Sequence, residues 1–225
     1  MKKVVLERQM QYNKIRRKRR RNNLIAKITV AVILVIAAVN FVSCLSSSKN
    51  VTEKIVFPEE IDGISVYTDL LSEGIPGRPG IKREIKYIAI HETDNEAPSA
   101  DAEAHNGYIH EIAEIEKISW HYTVDDHQIY HHLPDNEISF NAGDTYTKDG
   151  GNMNAIAIEM CVNEGGDYEK TLENAAKLTA YLMNEYNLDI NDVKKHQDFS
   201  GKICPSRLIK SGRWEEFLKK IEKYM

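Results

Sequence analysis

The stretch Ala155-Ile156-Ala157-Ile158-Glu159-Met160-Cys161-Val162-Asn163 decides the fold, because its alternating pattern is typical of a β-strand with one core face. Glu159 interrupts this apolar strand, where an ionised carboxylate is costly unless it has a partner or faces a wet cleft. Glu159 is therefore a candidate functional residue. A second apolar run, Tyr87-Ile88-Ala89-Ile90, ends at His91 and predicts another buried strand.

Further strands and helices are predicted from hydrophobic periodicity and capping residues. They are, in chain order, a helix capped by Ser99 that runs to about Glu116, a hairpin of residues 120–125 and 128–133, a helix over about residues 168–186, and a last helix opened by Ser211. Because helices and strands interleave, we predict a single α/β or α+β domain with a central mixed β-sheet flanked by helices.

Charge and hydropathy divide the chain into two parts. Residues 1–45 hold eleven lysines or arginines and one acidic residue, Glu7, which gives +10; the whole chain carries −4, so residues 46–225 carry −14. Residues 28–45 are uncharged, and their number is close to the roughly 20 residues that a membrane-spanning helix needs. The basic run at residues 14–21 precedes them, so the positive-inside rule keeps the N-terminus in the cytoplasm.

We therefore predict a basic cytoplasmic segment (residues 1–27), one N-terminal transmembrane signal-anchor (28–45), a linker (46–60) and an exported domain (61–225). An alternative is a lipoprotein signal, because Phe41-Val42-Ser43-Cys44 resembles a lipobox that would place the lipid on Cys44. A basic run of this kind is also typical of segments that bind nucleic acid. Its position directly before an apolar segment favours membrane topology, so we expect no nucleic-acid partner.

Soft metal ligands occur near the end of the exported domain. His196 and Cys204 lie within nine residues, with Lys202 between them. A neutral imidazole and a thiolate are ligands that zinc selects, and His91 supplies a third. Three protein ligands leave one tetrahedral position open, as in catalytic zinc sites. An alternative to metal binding by Cys204 is a disulfide between Cys161 and Cys204, which can form in an exported domain.

Five blocks of sequence carry a family resemblance. They are residues 88–95, 119–126, 141–144, 158–163 and 196–205. In this order, over roughly residues 61–210, they resemble the zinc-dependent type-2 N-acetylmuramoyl-L-alanine amidases. That family includes phage and bacterial autolytic amidases and is similar in fold to animal peptidoglycan recognition proteins.

The resemblance implies zinc ligands His91, His196 and Cys204, with Glu159 and Lys202 as catalytic residues. Two imidazoles and one thiolate leave a zinc site with about +1 net charge, which makes a separate base useful. Lys202 and Cys204 are two residues apart, a spacing that puts both side chains on one side of an extended backbone. The ammonium would then stabilise an oxyanion beside the metal.

The implied reaction is hydrolysis, by a zinc-activated water, of the amide between N-acetylmuramic acid and L-alanine of the peptidoglycan stem peptide. We expect Zn²⁺ as cofactor, peptidoglycan as substrate and a monomeric catalytic domain. This domain would lie on the extracellular, cell-wall side of a bacterial cell membrane, attached to the membrane by the N-terminal helix.

Trp120 and Asn95 are predicted to bind substrate. Trp120 stands where many relatives carry Tyr, so an aromatic face rather than a phenol is the expected contribution. Asn141 replaces a histidine that relatives often carry. Plainer interpretations place Glu159 on a solvent-facing edge strand and make Lys202 an ordinary surface lysine.

Two other functions stay open at this point. One is an inactive peptidoglycan-binding module, although such proteins typically lack the metal thiolate that Cys204 would supply. The other is a zinc peptidase that cuts within the stem peptide, although the chain has no His-Glu-x-x-His pattern.

Overall fold

The computed structural model describes residues 57–225. The predicted basic segment, the signal-anchor with its lipobox alternative at Cys44, and most of the linker lie outside the described residues. Among the helices of residues 57–225, none has both the length and the apolar character that crossing a membrane requires.

A seven-stranded mixed sheet forms the centre of the domain. Its strands are β1 (Glu60–Ile61), β2 (Ile64–Thr68), β3 (Tyr87–Glu92), β4 (Tyr122–Val124), β5 (Gln128–His131), β6 (Ala155–Met160) and β7 (Val193–Lys195). Their spatial order is β1-β2-β5-β4-β6-β3-β7. β6 runs parallel to both β3 and β4, and β7 is parallel to β3, whereas β4 and β5 form an antiparallel hairpin. The predicted mixed sheet and hairpin are confirmed.

Helices flank the sheet, as predicted. They are α1 (Ala102–Ala113), α2 (Gly151–Asn154), α3 (Tyr168–Tyr186), α4 (His196–Ser200), α5 (Ser206–Lys210) and α6 (Trp214–Glu222), with a 3₁₀ turn at Ile190–Asp192. The prediction for α3 is confirmed at both ends. In α3, Asp167 caps the first turn by accepting a hydrogen bond from the Lys170 N–H, and Asn187 ends the helix in the left-handed conformation.

Two predicted helix starts are wrong. α1 begins three residues after Ser99, because Asp101 is the N-cap and its carboxylate accepts a hydrogen bond from the Ala104 N–H. The last helix begins at Trp214 with Arg213 before it, rather than after Ser211. Ser211 instead ends α5, and its hydroxyl donates to the Arg207 carbonyl at 2.6 Å.

The strand β6 is buried on both faces, so the prediction of one core face was too narrow. Ile156 and Ile158 pack into the larger cluster with residues of α3 and α6, whereas Ala157 packs on the other side with Ile109 of α1. The physical reason is position: β6 lies between two parallel neighbours near the centre of the sheet, where helices cover both faces. Glu159 follows Ala157 on the α1 side, near the end of the strand.

Candidate metal centre and active site

The register of two parallel strands places His91 beside Glu159. β3 and β6 pair Ile90 with Ile158 and His91 with Glu159, and side chains at paired positions of neighbouring strands share a face. Nδ1 of His91 lies 3.6 Å from Oε1 of Glu159. The two residues that the sequence singled out are therefore neighbours at the carboxyl ends of central strands.

The other two candidate ligands reach the same end of the sheet. β7 pairs with β3 so that Lys195 stands opposite Ile90, and His196 follows as the first residue of α4. The ring centroids of His91 and His196 are 4.7 Å apart. Cys204 lies in the loop between α4 and α5, and its Sγ accepts a hydrogen bond from the Glu92 N–H at 3.4 Å.

His91, His196 and Cys204 form a group that could hold a metal ion. One ligand atom of each lies within 4.8 Å of the others, and all three side chains are buried. Two imidazoles and one sulfur are a donor set that suits zinc and related transition metals. The predicted ligand trio is thus brought together by the fold.

The protonation of the ligands fits metal binding. Burial lowers the pKa of His91 far below its usual value, and the neighbouring His196 and Lys202 disfavour its protonation further. Burial and Lys202 also lower the pKa of His196, against a hydrogen bond to the Ala142 carbonyl. Both imidazoles are therefore neutral near pH 7, as metal ligands must be. Burial raises the pKa of Cys204 to about 12, so its sulfur carries a proton until a metal displaces it.

The cysteines are not joined to each other. Cys161 and Cys204 are both free and buried, so the alternative of a disulfide between them is wrong for this structure. Sγ of Cys161 lies instead 3.9 Å from Nδ1 of His105.

A cleft of about 590 Å³ opens beside the ligand trio. Its walls include Glu159, Lys202, Trp120 and Asn95, all four of which the sequence analysis selected. Nζ of Lys202 lies 3.3 Å from Oδ2 of Asp94. Lys202 is exposed and paired, as a surface lysine would be, yet its charge also acts on Glu159 and His91. The Lys202 charge therefore favours the ionised form of Glu159 and the neutral form of His91.

Three carboxylates line this cleft, and they differ in their hydrogen-bond partners. Glu92 is buried, and both of its oxygens accept hydrogen bonds. Asp94 is exposed and paired with Lys202. Oε2 of Glu159 is buried without a hydrogen-bond partner among the described residues. Because Glu159 lies on a central strand with its side chain 15% exposed, the solvent-facing edge-strand interpretation is wrong.

The surroundings of Glu159 favour proton exchange near neutral pH. Burial raises its pKa to about 8, while the positive charge of Lys202 acts in the opposite direction and Asp94 adds to the rise. A carboxyl group with a pKa near the working pH can both accept and return a proton.

The aromatic wall of the cleft contains one residue that the sequence analysis missed. Tyr108 stacks on Trp120, with ring centroids 6.5 Å apart and planes 24° apart, and half of Tyr108 is exposed. Nε1 of Trp120 donates to Oγ1 of Thr123 at 2.7 Å, which fixes the indole. Ala104 and Tyr108 are four residues apart on α1 and both line the cleft, so helical spacing was the available signal.

Asn95 and Asn141 take different positions around the site. Asn95 is exposed on the cleft wall, and its Oδ1 accepts from the Ala97 N–H at 3.2 Å. The Asn141 side chain lies near His91, and its Nδ2 donates to Oγ of Ser139 at 2.7 Å. The side-chain Oδ1 of Asn152 accepts from the N–H groups of Asn141 and Ala142, at 2.9 and 2.8 Å. The Asn152 side chain therefore holds the backbone of residues 141–142, which lies next to His91 and His196.

Comparison with known proteins shows the family of this chain. A family model described as N-acetylmuramoyl-L-alanine amidase matches residues 81–207. The amidase CwlH of Bacillus subtilis is 40% identical over 158 residues, which cover 70% of this chain and 61% of that protein. The amidase XlyA of the same organism is 40% identical over 154 residues, which cover 68% of this chain and 50% of that protein.

A solved structure supports the same relationship. The catalytic domain of XlyA matches with a TM-score of 0.66 and 39% identity, and the match covers 70% of this chain and 99% of that domain. The chain belongs to the N-acetylmuramoyl-L-alanine amidase family, which confirms the resemblance carried by the five sequence blocks. It spans about half to three-fifths of the length of these two curated relatives.

Proposed function

We propose that this protein is a zinc-dependent peptidoglycan hydrolase that cleaves the amide between N-acetylmuramic acid and L-alanine of the stem peptide. The proposal rests on the buried group of His91, His196 and Cys204. Beside it lies a carboxyl oxygen of Glu159 that has no hydrogen-bond partner within residues 57–225. Family membership supports the same activity, since its relatives CwlH and XlyA are N-acetylmuramoyl-L-alanine amidases.

Each group of the site has a role in this proposal. A zinc ion held by the three ligands would lower the pKa of water and polarise the amide carbonyl. Oε2 of Glu159 accepts the proton of the attacking water and later delivers a proton to the leaving amine of L-alanine. The Lys202 ammonium donates a hydrogen bond to the oxyanion that forms from the carbonyl oxygen. Trp120 and Asn95 bind the muramyl peptide on the cleft wall.

The products of digestion test this function. Purified protein incubated with muropeptides should release free L-alanine amino termini and leave muramic acid without its peptide. A zinc peptidase would leave the lactyl–alanine amide intact and expose amino termini further along the stem peptide. An inactive binding module would retain muropeptides and release nothing. Either of these two results would contradict the proposed reaction.

Replacing Lys202 by methionine is expected to lower kcat by ~10²- to 10³-fold, because one donor to the developing oxyanion is removed. KM and zinc content should stay close to the wild-type values, since Lys202 is not a ligand in this proposal. The measurement is steady-state kinetics with a defined muropeptide, together with metal analysis. Lys223→Met, at an exposed position in the last turn of the chain, is the matched control. A kcat close to that of the control would contradict the assigned role.

We also propose that residues 1–27 stay in the cytoplasm, that residues 28–45 anchor the chain, and that a linker (46–60) carries the hydrolase domain (61–225) outside the membrane. The support is the +10 charge of residues 1–45 before an acidic remainder, and the uncharged run at residues 28–45. On this proposal the domain acts as a monomer on peptidoglycan at a bacterial cell surface, without a nucleic-acid partner.

Deleting residues 1–45 and supplying a cleavable export signal is expected to release the protein from the membrane fraction and to spread wall lysis beyond the membrane-proximal layer. Fractionation and imaging of labelled wall check this result. Cys44→Ser should leave membrane attachment unchanged, because an apolar helix rather than a lipid holds the chain. Loss of attachment in Cys44→Ser would indicate a lipoprotein, and a deletion that changes neither location nor lysis would contradict the tether.

A further inference from the structure

Glu92 is a buried carboxylate next to a metal-ligand candidate, and the proposed reaction does not use it. It follows His91 on β3 and is 3% exposed. Its Oε2 accepts a hydrogen bond from the Arg207 N–H at 2.6 Å, and the Ser206 hydroxyl, which lies 3.2 Å from Oδ1 of Asp94, is 3.4 Å from the same Glu92 oxygen. Its Oε1 accepts from the Tyr168 hydroxyl. A buried carboxylate held by neutral donors needs such bonds, because an unpaired one is costly.

The backbone of Glu92 contacts the sulfur of Cys204. The Glu92 N–H donates to Sγ at 3.4 Å, and Sγ lies 3.8 Å from the Glu92 carbonyl oxygen. Ser206 and Arg207 come two and three residues after Cys204 in the sequence. One residue therefore contacts the Cys204 loop at two places: its backbone contacts the sulfur, and its carboxylate holds the start of α5.

The strand fixes Glu92 relative to the histidine ligand. Glu92 pairs with Met160, one position after the pair of His91 and Glu159. The guanidinium of Arg207 does not contact the Glu92 carboxylate but pairs with Glu96 at 2.8 Å. The side-chain link between β3 and the Cys204 loop thus consists of hydrogen bonds that the Glu92 carboxylate accepts from backbone and hydroxyl groups.

We propose that Glu92 is a positioning residue that holds the Cys204 sulfur against His91 and His196, and so sets the strength of the metal site. This inference rests on the proposed zinc function. Groups that orient metal ligands from outside the coordination shell typically change metal affinity by ~10- to 100-fold when they are removed. Both oxygens of Glu92 accept hydrogen bonds, and these bonds fix the carboxylate against the start of α5.

The test measures metal binding by the full chain purified in detergent. Glu92→Ala is expected to weaken Zn²⁺ binding by ~10- to 100-fold in competition with a chelator. With Co²⁺ in place of Zn²⁺, the thiolate-to-cobalt charge-transfer band should weaken or shift, because the start of α5, just after Cys204, loses the carboxylate that holds it. Glu92→Gln should bind Zn²⁺ much like the wild type: its oxygen still accepts from Arg207 N–H, and its NH₂ can donate to the Tyr168 hydroxyl oxygen.

Two controls separate positioning from a general structural effect. Glu185→Ala removes an exposed carboxylate of α3 and should change neither measurement. Thermal unfolding of the metal-free proteins reports any loss of stability by itself. If Glu92→Ala does not fold, Glu92→Asp is used in its place. The aspartate side chain is one methylene shorter, so its carboxylate cannot reach both Tyr168 and Arg207. We expect about tenfold weaker Zn²⁺ binding by this variant.

The outcomes distinguish this inference from the proposed function. A wild-type chain that binds Zn²⁺ tightly, with an equally tight Glu92→Ala variant and an unchanged cobalt band, would overturn the role of Glu92 alone. A wild-type chain that binds neither metal would overturn the zinc function and, with it, this inference.

Discussion

Replacing Cys204 by serine is expected to abolish stoichiometric zinc binding and to lower kcat/KM by ~10³-fold or more. A serine hydroxyl stays protonated near neutral pH, so only the two imidazoles of His91 and His196 remain as ligands. The loss corresponds to several kcal/mol of metal-assisted stabilisation of the transition state, at a factor of ten for each 1.36 kcal/mol. Elemental analysis of the purified variant and the release of muropeptide products measure the two effects.

Cys161→Ser is the matched control, because it makes the same change of sulfur to oxygen at another buried and free cysteine. It should keep zinc and most of the activity. If Cys204→Ser retains zinc as well as this control does, Cys204 is not a ligand and the assigned metal centre is wrong.

Glu159→Gln is expected to lower kcat by ~10²- to 10⁴-fold while zinc stays bound, because an amide cannot accept the proton of the attacking water. The free energy of unfolding of Glu159→Gln should not fall below that of the wild type. Burial raises the pKa of Glu159 to about 8, which means that folding disfavours its ionised form, and glutamine removes that charge. Kinetics, metal content and thermal unfolding of the same preparation check the three parts of this prediction.

Glu185→Gln, on the exposed side of α3, provides the comparison for Glu159→Gln. The two variants should have similar unfolding temperatures and very different kcat values. Similar kcat values would show that another group takes the proton, and loss of zinc in Glu159→Gln would make Glu159 part of the metal centre.

The sequence predicted the elements whose signals are local. The long helix α3 has a clear apolar stripe, and both of its predicted ends are correct. The start of α1 is wrong because Ser99 and Asp101 are both good capping residues, and only the folded chain shows which one accepts the Ala104 N–H. β6 was predicted to have one core face, because periodicity along one strand does not indicate which neighbours cover its second face.

The site was predictable as far as residue chemistry and spacing allow. Soft ligands near the C-terminus and a carboxylate in an apolar strand identify the residues that the fold brings together. The role of Glu92 was not predictable. Its partners Tyr168 and Arg207 are 76 and 115 residues further along the chain, and nothing in the local sequence distinguishes Glu92 from a surface glutamate.

Metal analysis of the purified wild-type protein, combined with titration of its thiols, tests whether His91, His196 and Cys204 bind zinc. We expect about one tightly bound zinc per chain, as for a site with three protein ligands, and three free thiols, from Cys44, Cys161 and Cys204, once the metal is removed and the chain is unfolded. A protein that contains no metal, cannot be loaded with zinc, and has Cys161 and Cys204 joined in a disulfide would contradict this expectation.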